Sequence, residues 1–150
     1  MLQFPPHFRR NFTKMRISAH NLAIETGRYA KPIEIPKEKR VCFHCKQPET
    51  EFHLIFECPL YHDERNLLYN DLSQILSIDI TPGNELFEIL MSGLQGDLDI
   101  GKTFCDFLNK CFKIRSDILS QNKEREILQR AKATTTRSGR VSKRPIILDL

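Results

Sequence analysis

A chain of 150 residues with 40% hydrophobic residues is long enough for one ordinary domain and a tail. It has no apolar run of membrane-spanning length, and its first residues lack the apolar segment and cleavage site of a signal peptide. We therefore expect an intracellular protein, in the nucleus or cytoplasm, with no membrane partner. Five cysteines without a secretory signal favour metal binding over a disulfide framework.

The net charge of +4 is unevenly distributed along the chain. Residues 1–41 contain nine Lys/Arg against three Asp/Glu, residues 42–130 contain nine against fifteen, and residues 131–150 contain five against one. The three segments therefore carry +6, −6 and +4. Such asymmetry is typical of a nucleic-acid contact limited to part of the surface, and equally of a solvated charged surface, so charge alone leaves both open.

The N-terminal third predicts one helix followed by extended chain. Apolar residues recur at helical spacing over residues 8–20, which predicts a helix that ends at Asn21. Prolines and alternating isoleucines in residues 27–41 predict extended chain, with a short strand running towards Cys42.

Helices are predicted almost throughout the following segment. Thr50 suits the N-cap of a short helix with Glu51 in its first turn. Pro59 ends that helix, because a proline moves the preceding residue out of helical geometry. A second helix is predicted near residues 60–77. A third begins with Thr81-Pro82, an N-cap followed by proline at the first helical position.

The third helix is closed by Gly93 and Gly96, and the longest predicted element begins near Asp99. Its apolar stripe consists of Ile100, Phe104, Phe107, Leu108, Cys111, Ile114 and Ile118. Cys105 and Cys111 lie on or beside this stripe and are assigned to the core. A helix of about 30 residues exceeds what one small domain covers, so we expect its far end to project or to pair with a partner.

These patterns predict a mostly α fold. Its parts are a small zinc-stabilised lobe at residues 8–62 and a helical bundle at residues 63–130 that includes the long C-terminal helix. Residues 131–150 are small, polar and basic, and we predict a disordered tail there.

Four residues of metal-binding type stand in one short window, with the spacing Cys-x2-Cys-x7-His-x4-Cys. They are Cys42, Cys45, His53 and Cys58. Three thiolates and an imidazole form one complete tetrahedral set for Zn²⁺, and a closed set leaves no position for a reacting water. We therefore predict one structural zinc. The alternatives are scattered core cysteines and a redox Cys-x2-Cys pair, for which the surrounding βαβ pattern is missing.

Two further histidines compete as ligands. His44 lies between the first two cysteines, where its side chain is expected to point away, and His62 lies in the next helix. His53 and Cys58 are five residues apart, or about 1.4 turns of an ideal helix, so an ideal helix does not aim both inwards. We expect the break at Pro59 to turn Cys58 back.

A family resemblance lies in four stretches of the sequence: residues 15–29, Arg40–Cys45, Glu49–Leu54 and Cys58-Pro59. They resemble the zinc-binding module downstream of the polymerase in non-LTR (LINE-like) retrotransposon reverse transcriptases. The resemblance covers residues 9–62, and the tail at 136–143 is similar to short basic stretches of retroelement polyproteins. It implies that Cys42, Cys45, His53 and Cys58 are the ligands, and that the module handles the element's nucleic acid.

The catalytic parts of such an element are missing from the chain. A polymerase needs paired aspartates for two metal ions, and the sequence contains no adjacent Asp-Asp. The residues left over are too few for a palm, an endonuclease or an RNase H domain. We therefore predict no enzyme activity and no small-molecule substrate. The chain is interpreted as a detached C-terminal fragment of an element, or as a host gene descended from one. The spacing before His53 is longer than in a retroviral zinc knuckle, so knuckle-style base recognition is not assumed.

Two classes of function stay open. In the first, the module binds RNA or single-stranded DNA weakly and non-specifically, and the zinc holds its shape. The residues assigned to phosphate contacts are Arg9, Arg10, Lys14, Arg16, Lys37, Lys39 and Arg40. Tyr29, Phe43 and Phe52 stack on bases if they are exposed and otherwise pack around the zinc, and for Phe52 we favour packing. In the second class, the long helix offers an apolar seam to a protein partner.

Overall fold

The computed structural model describes residues 5–92 and 98–138, with side chains for residues 5–92 and 98–132. Five α-helices occupy most of these ranges: α1 Pro6–Arg16, α2 Ala23–Arg28, α3 His62–Leu76, α4 Asn84–Ser92 and α5 Leu98–Ser138. Short 3-10 helices lie at Lys37–Lys39 and Pro59–Tyr61, and a π-helix at His53–Glu57. Over the described ranges, the only strand-like pairing is an isolated bridge between Val41 and Pro48. The mostly α prediction is confirmed.

The N-terminal elements differ from the prediction in two ways. Helix α1 ends at Arg16, before the expected stop at Asn21. In place of wholly extended chain, the segment contains the end of α2 and a 3-10 turn, and no strand leads into Cys42 in this described part. Helix α2 starts at a non-local contact: the carboxylate of Glu49 accepts a hydrogen bond of 2.6 Å from the backbone N–H of Ala23. A residue 26 positions away therefore caps this helix.

The elements after residue 50 follow the prediction closely. Thr50 is the N-cap, as predicted: its hydroxyl accepts a hydrogen bond of 3.1 Å from the backbone N–H of His53. Cys58, before Pro59, has extended geometry with φ −62° and ψ 121°. Helix α4 begins at Asn84, two residues after the predicted Pro82 start. The predicted closing glycines lie outside the described residues.

The chain divides into two compact units, Met1–Lys113 and Ile114–Leu150. The core of the first unit consists largely of apolar side chains from four helices. We call the following buried set the helical core: Phe12, Met15, Leu68, Leu72, Leu86, Leu90, Ile100, Phe104, Cys105, Phe107, Leu108 and Cys111. Phe12 of α1 meets Phe104 of α5 edge to face, with ring centroids 5.8 Å apart. The assignment of Cys105 and Cys111 to the core is confirmed.

The described part of the second unit is the C-terminal portion of α5, which continues to Ser138. Its side chains from residue 119 to residue 132 are exposed. The helix therefore includes the first eight residues of the predicted disordered tail, and residues 139–150 lie outside the described part. The boundary between the units does not coincide with the predicted boundaries after residues 62 and 130. Among the described helices, none is long and apolar enough to cross a membrane.

Candidate metal centre

Cys42, Cys45, His53 and Cys58 meet in one cluster, as the spacing predicts. Their ligand atoms all lie within 4.8 Å of one another. Cys42, His53 and Cys58 are almost completely buried, and Cys45 is half-buried. His44 and His62 are exposed and lie outside the cluster, as expected.

A tight turn presents the first two thiols. The backbone N–H of Cys42 donates to the carbonyl of Gln47 at 2.7 Å, and that of Lys46 donates to the carbonyl of Cys42 at 3.0 Å. Lys46 has a φ of 64°, a left-handed conformation that closes the turn. Backbone N–H groups of His44 and Cys45 point at the sulfur of Cys42, where they favour the thiolate.

The π-helix explains how His53 and Cys58 face the same point. The backbone N–H of Cys58 donates to the carbonyl of His53 at 2.8 Å, which is a bond across five residues. Since such a bond closes one turn of a π-helix, residues five apart fall near the same side of it. The extended backbone at Cys58 completes the turn of its thiol towards the cluster. Two features therefore bring His53 and Cys58 to the same point: the predicted break at Pro59 and the wider turn of the π-helix.

The separations suit a tetrahedral zinc ion. Zinc–sulfur bonds of about 2.3 Å place two ligand sulfurs about 3.8 Å apart in a tetrahedron. The sulfurs of Cys42 and Cys58 are 3.9 Å apart. The sulfur of Cys45 lies 3.2 Å from Nε2 of His53, within a few tenths of an ångström of the tetrahedral separation for that pair of atoms. The longest separation in the cluster needs to shorten by up to about 1 Å.

The other nitrogen of His53 is held by a residue that the sequence reasoning missed. Nδ1 lies 3.3 Å from a carboxylate oxygen of Glu57, four residues further along the same helix. When Nδ1–H donates to this carboxylate, Nε2 carries the free lone pair. Nε2 is then the ring nitrogen available to bind a metal ion beside Cys45. A glutamate four residues after a ligand histidine is a signal that the sequence does contain.

A second missed residue, Arg65 of α3, closes the carbonyl end of the π-helix. Its buried guanidinium donates to the carbonyl of Ile55 at 2.8 Å and to the carbonyl of Cys58 at 2.6 Å. A zinc ion with three thiolates carries a net charge of −1, so the buried cation beside Cys58 would balance the charge of a zinc-loaded site. Nothing local in the sequence marks Arg65 for this role.

The buried thiols are protonated at neutral pH without a metal. Burial raises the pKa of Cys58 to about 12 and also raises the pKa of Cys42, although backbone N–H groups act in the opposite direction. Metal binding has to displace these protons, so binding and deprotonation occur together.

Polar contacts join residues 20–61 into one unit, which we call the metal lobe. Arg40 is buried, and its guanidinium donates to the carbonyls of Ile35 and Ile24 and pairs with the carboxylate of Glu34. The aliphatic part of Arg40 lies against Gly27, where a Cβ atom would stand 2.6 Å from its Cγ.

Two residues outside the cluster connect the start of the metal lobe to the short helix that carries His53. His20 is hydrogen bonded to a carboxylate oxygen of Glu51 at 2.7 Å. This bond is the main cause that lowers the pKa of Glu51. The position of His53 is therefore tied to the loop between α1 and α2.

The structure places the predicted phosphate-binding residues in three situations. Four are exposed: Arg10, Arg16, Lys37 and Lys39. The guanidinium of Arg16 lies 5.7 Å from the centre of the Phe12 ring. Arg9 and Lys14 are half-buried, and Arg40 is buried. Arg40 differs from the other six, because it is buried and its guanidinium makes the internal contacts described above; a phosphate contact for it stays a prediction.

The three candidate stacking residues also differ in exposure. Tyr29 is 71% exposed and Phe43 is half-buried. Phe52 packs against Phe56 and Phe87, with ring centroids 4.8 Å and 5.6 Å away, which agrees with the favoured packing role. Tyr29 is therefore the most accessible of the three.

Comparison with protein-family models, with curated proteins and with solved structures found no match for this chain. The resemblance to the retrotransposon module therefore rests on the sequence motif and stays a prediction. What the structure adds is the Cys3His cluster, whose donor set suits one metal ion.

Proposed function

We propose that the chain is a non-catalytic zinc module of retrotransposon reverse-transcriptase origin that binds RNA or single-stranded DNA weakly and without sequence preference. The observation that carries the proposal is the closed, largely buried Cys3His cluster, which suits a structural ion. In such a module the metal holds the fold, and binding falls to side chains on the surface of the lobe and of the neighbouring α1.

The distribution of basic side chains supports the nucleic-acid part of the proposal. Helix α1 has no acidic residue, and four cations lie along its 11 residues. Lys37 and Lys39 add two exposed cations within the metal lobe. Lys/Arg side chains in such numbers neutralise phosphates without reading bases, which gives affinity without sequence preference.

The test is the salt dependence of binding to a short single-stranded oligonucleotide. The variant replaces Arg9, Arg10, Lys14 and Arg16 by Gln, and the control replaces Lys102, Lys110, Lys123 and Arg125 of α5 by Gln, so that each loses four positive charges. We expect the parent to lose affinity steeply as salt rises, and the variant to have a slope flatter by about 0.7 for each lost phosphate contact. A variant that binds like the parent at low salt would contradict the assignment of α1.

A second function is favoured by a specific observation on α5. Leu119, Ile127 and Leu128 are exposed, and the two last side chains are 57% and 59% accessible. A helix with such residues is suited to an apolar seam with a protein partner. Binding through this seam would show little salt dependence, and it would be lost on Ile127→Asp with Leu128→Asp while zinc content stays unchanged.

A further inference from the structure

A groove of about 450 Å³ lies within the first unit, beside the metal lobe. Its walls come from α1, from the loop between α1 and α2, from α2 and from α5. A hydrogen bond of 2.9 Å between the side-chain amides of Asn11 and Asn109 joins the two helices at the groove. Asn109 also donates to the carbonyl of Phe8 at 2.9 Å, so the position of this wall is fixed.

Two cations that are far apart in the sequence line the groove. Lys14 lies one turn after Asn11 on α1, and Lys113 lies one turn after Asn109 on α5. The nine described residues that line the groove include no Asp or Glu. His20, which lines the groove, is hydrogen bonded to the carboxylate of Glu51 on the metal lobe. The groove therefore presents a positive potential to a ligand.

The remaining lining gives the groove an aromatic surface and polar edges. Phe112 is half-buried and lines the groove next to Lys113. An aromatic face beside two ammonium groups matches the two chemical parts of a nucleotide, a planar base and a phosphate. A paired base offers no free face to such a ring, so the groove favours an unpaired strand.

A second groove shows that this chemistry is not a general property of the surface. It has a volume of about 330 Å³, lies between α3 and the start of α5, and is lined by Asp71, Asp99 and Asp106 with one lysine, Lys102. Phosphates are repelled from such a site. Helix α5 thus offers an acidic groove near its first turns and a basic groove at Lys113.

We propose that the groove between Lys14 and Lys113 is a binding site for the backbone phosphates of a single-stranded nucleic acid, with a base stacked on Phe112. The proposal deepens the function proposed above and rests on it. It adds Lys113 of α5 to the predicted phosphate-binding surface, which the charge distribution along the sequence limits to the N-terminal segment and the tail.

The experiment measures the affinity of the full chain for a fluorescein-labelled oligodeoxythymidine over about 50 to 200 mM salt. The variants are Lys14→Gln, Lys113→Gln and both together. The matched control is Lys110→Gln, which removes an exposed lysine of the same helix outside the groove. Each groove variant is expected to flatten the salt slope by about 0.7 and to lower the affinity about fivefold at about 0.1 M salt. Phe112→Leu keeps an apolar side chain and removes the ring, and we expect it to lower the affinity at least about fivefold without changing the slope.

The outcomes separate this proposal from the one on which it rests. If the parent binds the strand and the double variant binds it equally well, the groove is not the site, although the zinc module still binds nucleic acid. If the parent binds no strand at all, both proposals fail. If millimolar inorganic phosphate or duplex DNA competes as well as unlabelled single strand, the commitment to an unpaired strand is overturned.

Discussion

The metal lobe and the helical core of the first unit are stabilised by different chemistry. Seven polar or charged residues are buried in the described part of the chain, and five of them belong to the metal lobe: His20, Glu25, Arg40, Glu49 and His53. The helical core consists of apolar side chains buried on α1, α3, α4 and α5, with a ring-to-ring contact between α1 and α5. The metal lobe also buries apolar side chains, such as Leu22, Leu54 and Ile55, and it differs from the helical core in the buried polar contacts that it adds to them.

This difference sets how each region responds to damage. Burial of apolar surface adds up over many contacts, so a helical core loses stability in proportion to the atoms removed. A metal-centred lobe depends on a few donors, and structural zinc sites contribute about 10–16 kcal/mol of apparent binding free energy. Loss of one donor therefore affects the whole lobe.

The largest expected effect separates the two cysteine environments. Cys58→Ser removes a thiolate that closes the metal shell, so we expect loss of bound zinc and loss of order over residues 30–60. Cys105→Ser, in the helical core, is expected to retain zinc and to lower the free energy of unfolding only modestly. Elemental analysis and amide NMR spectra of both variants check the difference, and equal loss of zinc would show that the ligand assignment is wrong.

A cavity in the helical core is the converse experiment. Phe104 is buried against Phe12 and Phe107, so Phe104→Ala is expected to lower the free energy of unfolding by about 3–5 kcal/mol. Zinc content at low temperature should stay at the parent level, because no ligand is touched. Urea unfolding followed by circular dichroism, with zinc measured in parallel, checks both parts. Loss of zinc from a variant that remains folded would mean that the two regions are not separable.

A smaller effect is expected from filling the space between Gly27 and Arg40. Alanine in place of a helical glycine adds about 1 kcal/mol through helix propensity. At Gly27 the new Cβ meets the Cγ of Arg40 at 2.6 Å, and that side chain is fixed by its buried guanidinium bonds. Overpacking costs about 1–3 kcal/mol, so we expect Gly27→Ala to be destabilising on balance.

The control for the added methyl group alone is Gly83→Ala, which precedes α4 and has nothing within 4 Å of the added atom. Thermal unfolding of the two variants gives the comparison. If Gly27→Ala is as stable as Gly83→Ala, Arg40 is free to move, and its assignment as an internal strut of the metal lobe is wrong.

The smallest expected effect concerns the orientation of the ligand histidine. Glu57→Ala removes the carboxylate that lies 3.3 Å from Nδ1 of His53. Loss of such a partner lowers metal affinity by at least about tenfold in comparable sites. Competition with a chromophoric chelator measures the affinity, and Glu88→Ala, an exposed glutamate of α4, is the control. Unchanged affinity would show that the ring is oriented by its neighbours in the lobe without Glu57.

The members of the Cys3His cluster were predictable because their information is local. All four stand within 17 residues, and the N-cap at Thr50 and the break at Pro59 are read from adjacent residues. The long helix was predictable for the same reason, since its apolar stripe repeats within one continuous segment.

The missed features depend on contacts between distant residues. Helix α2 is capped by Glu49, and Arg40 is drawn inside by carbonyls at Ile24 and Ile35, so neither follows from neighbouring residues. Lys113 joins Lys14 at one groove across 99 positions of sequence. A charge count over segments assigns these two lysines to different regions, and only packing of α1 on α5 brings them together.

The central claim, that one zinc ion organises the metal lobe, is tested most directly by elemental analysis of the reduced, folded, full-length protein. The account predicts one zinc per chain, with loss of that zinc and of the amide NMR signals of residues 30–60 on chelation, while the signals of the helical core remain. A folded protein that contains no zinc, or one whose lobe signals are unchanged after complete removal of the metal, would contradict it.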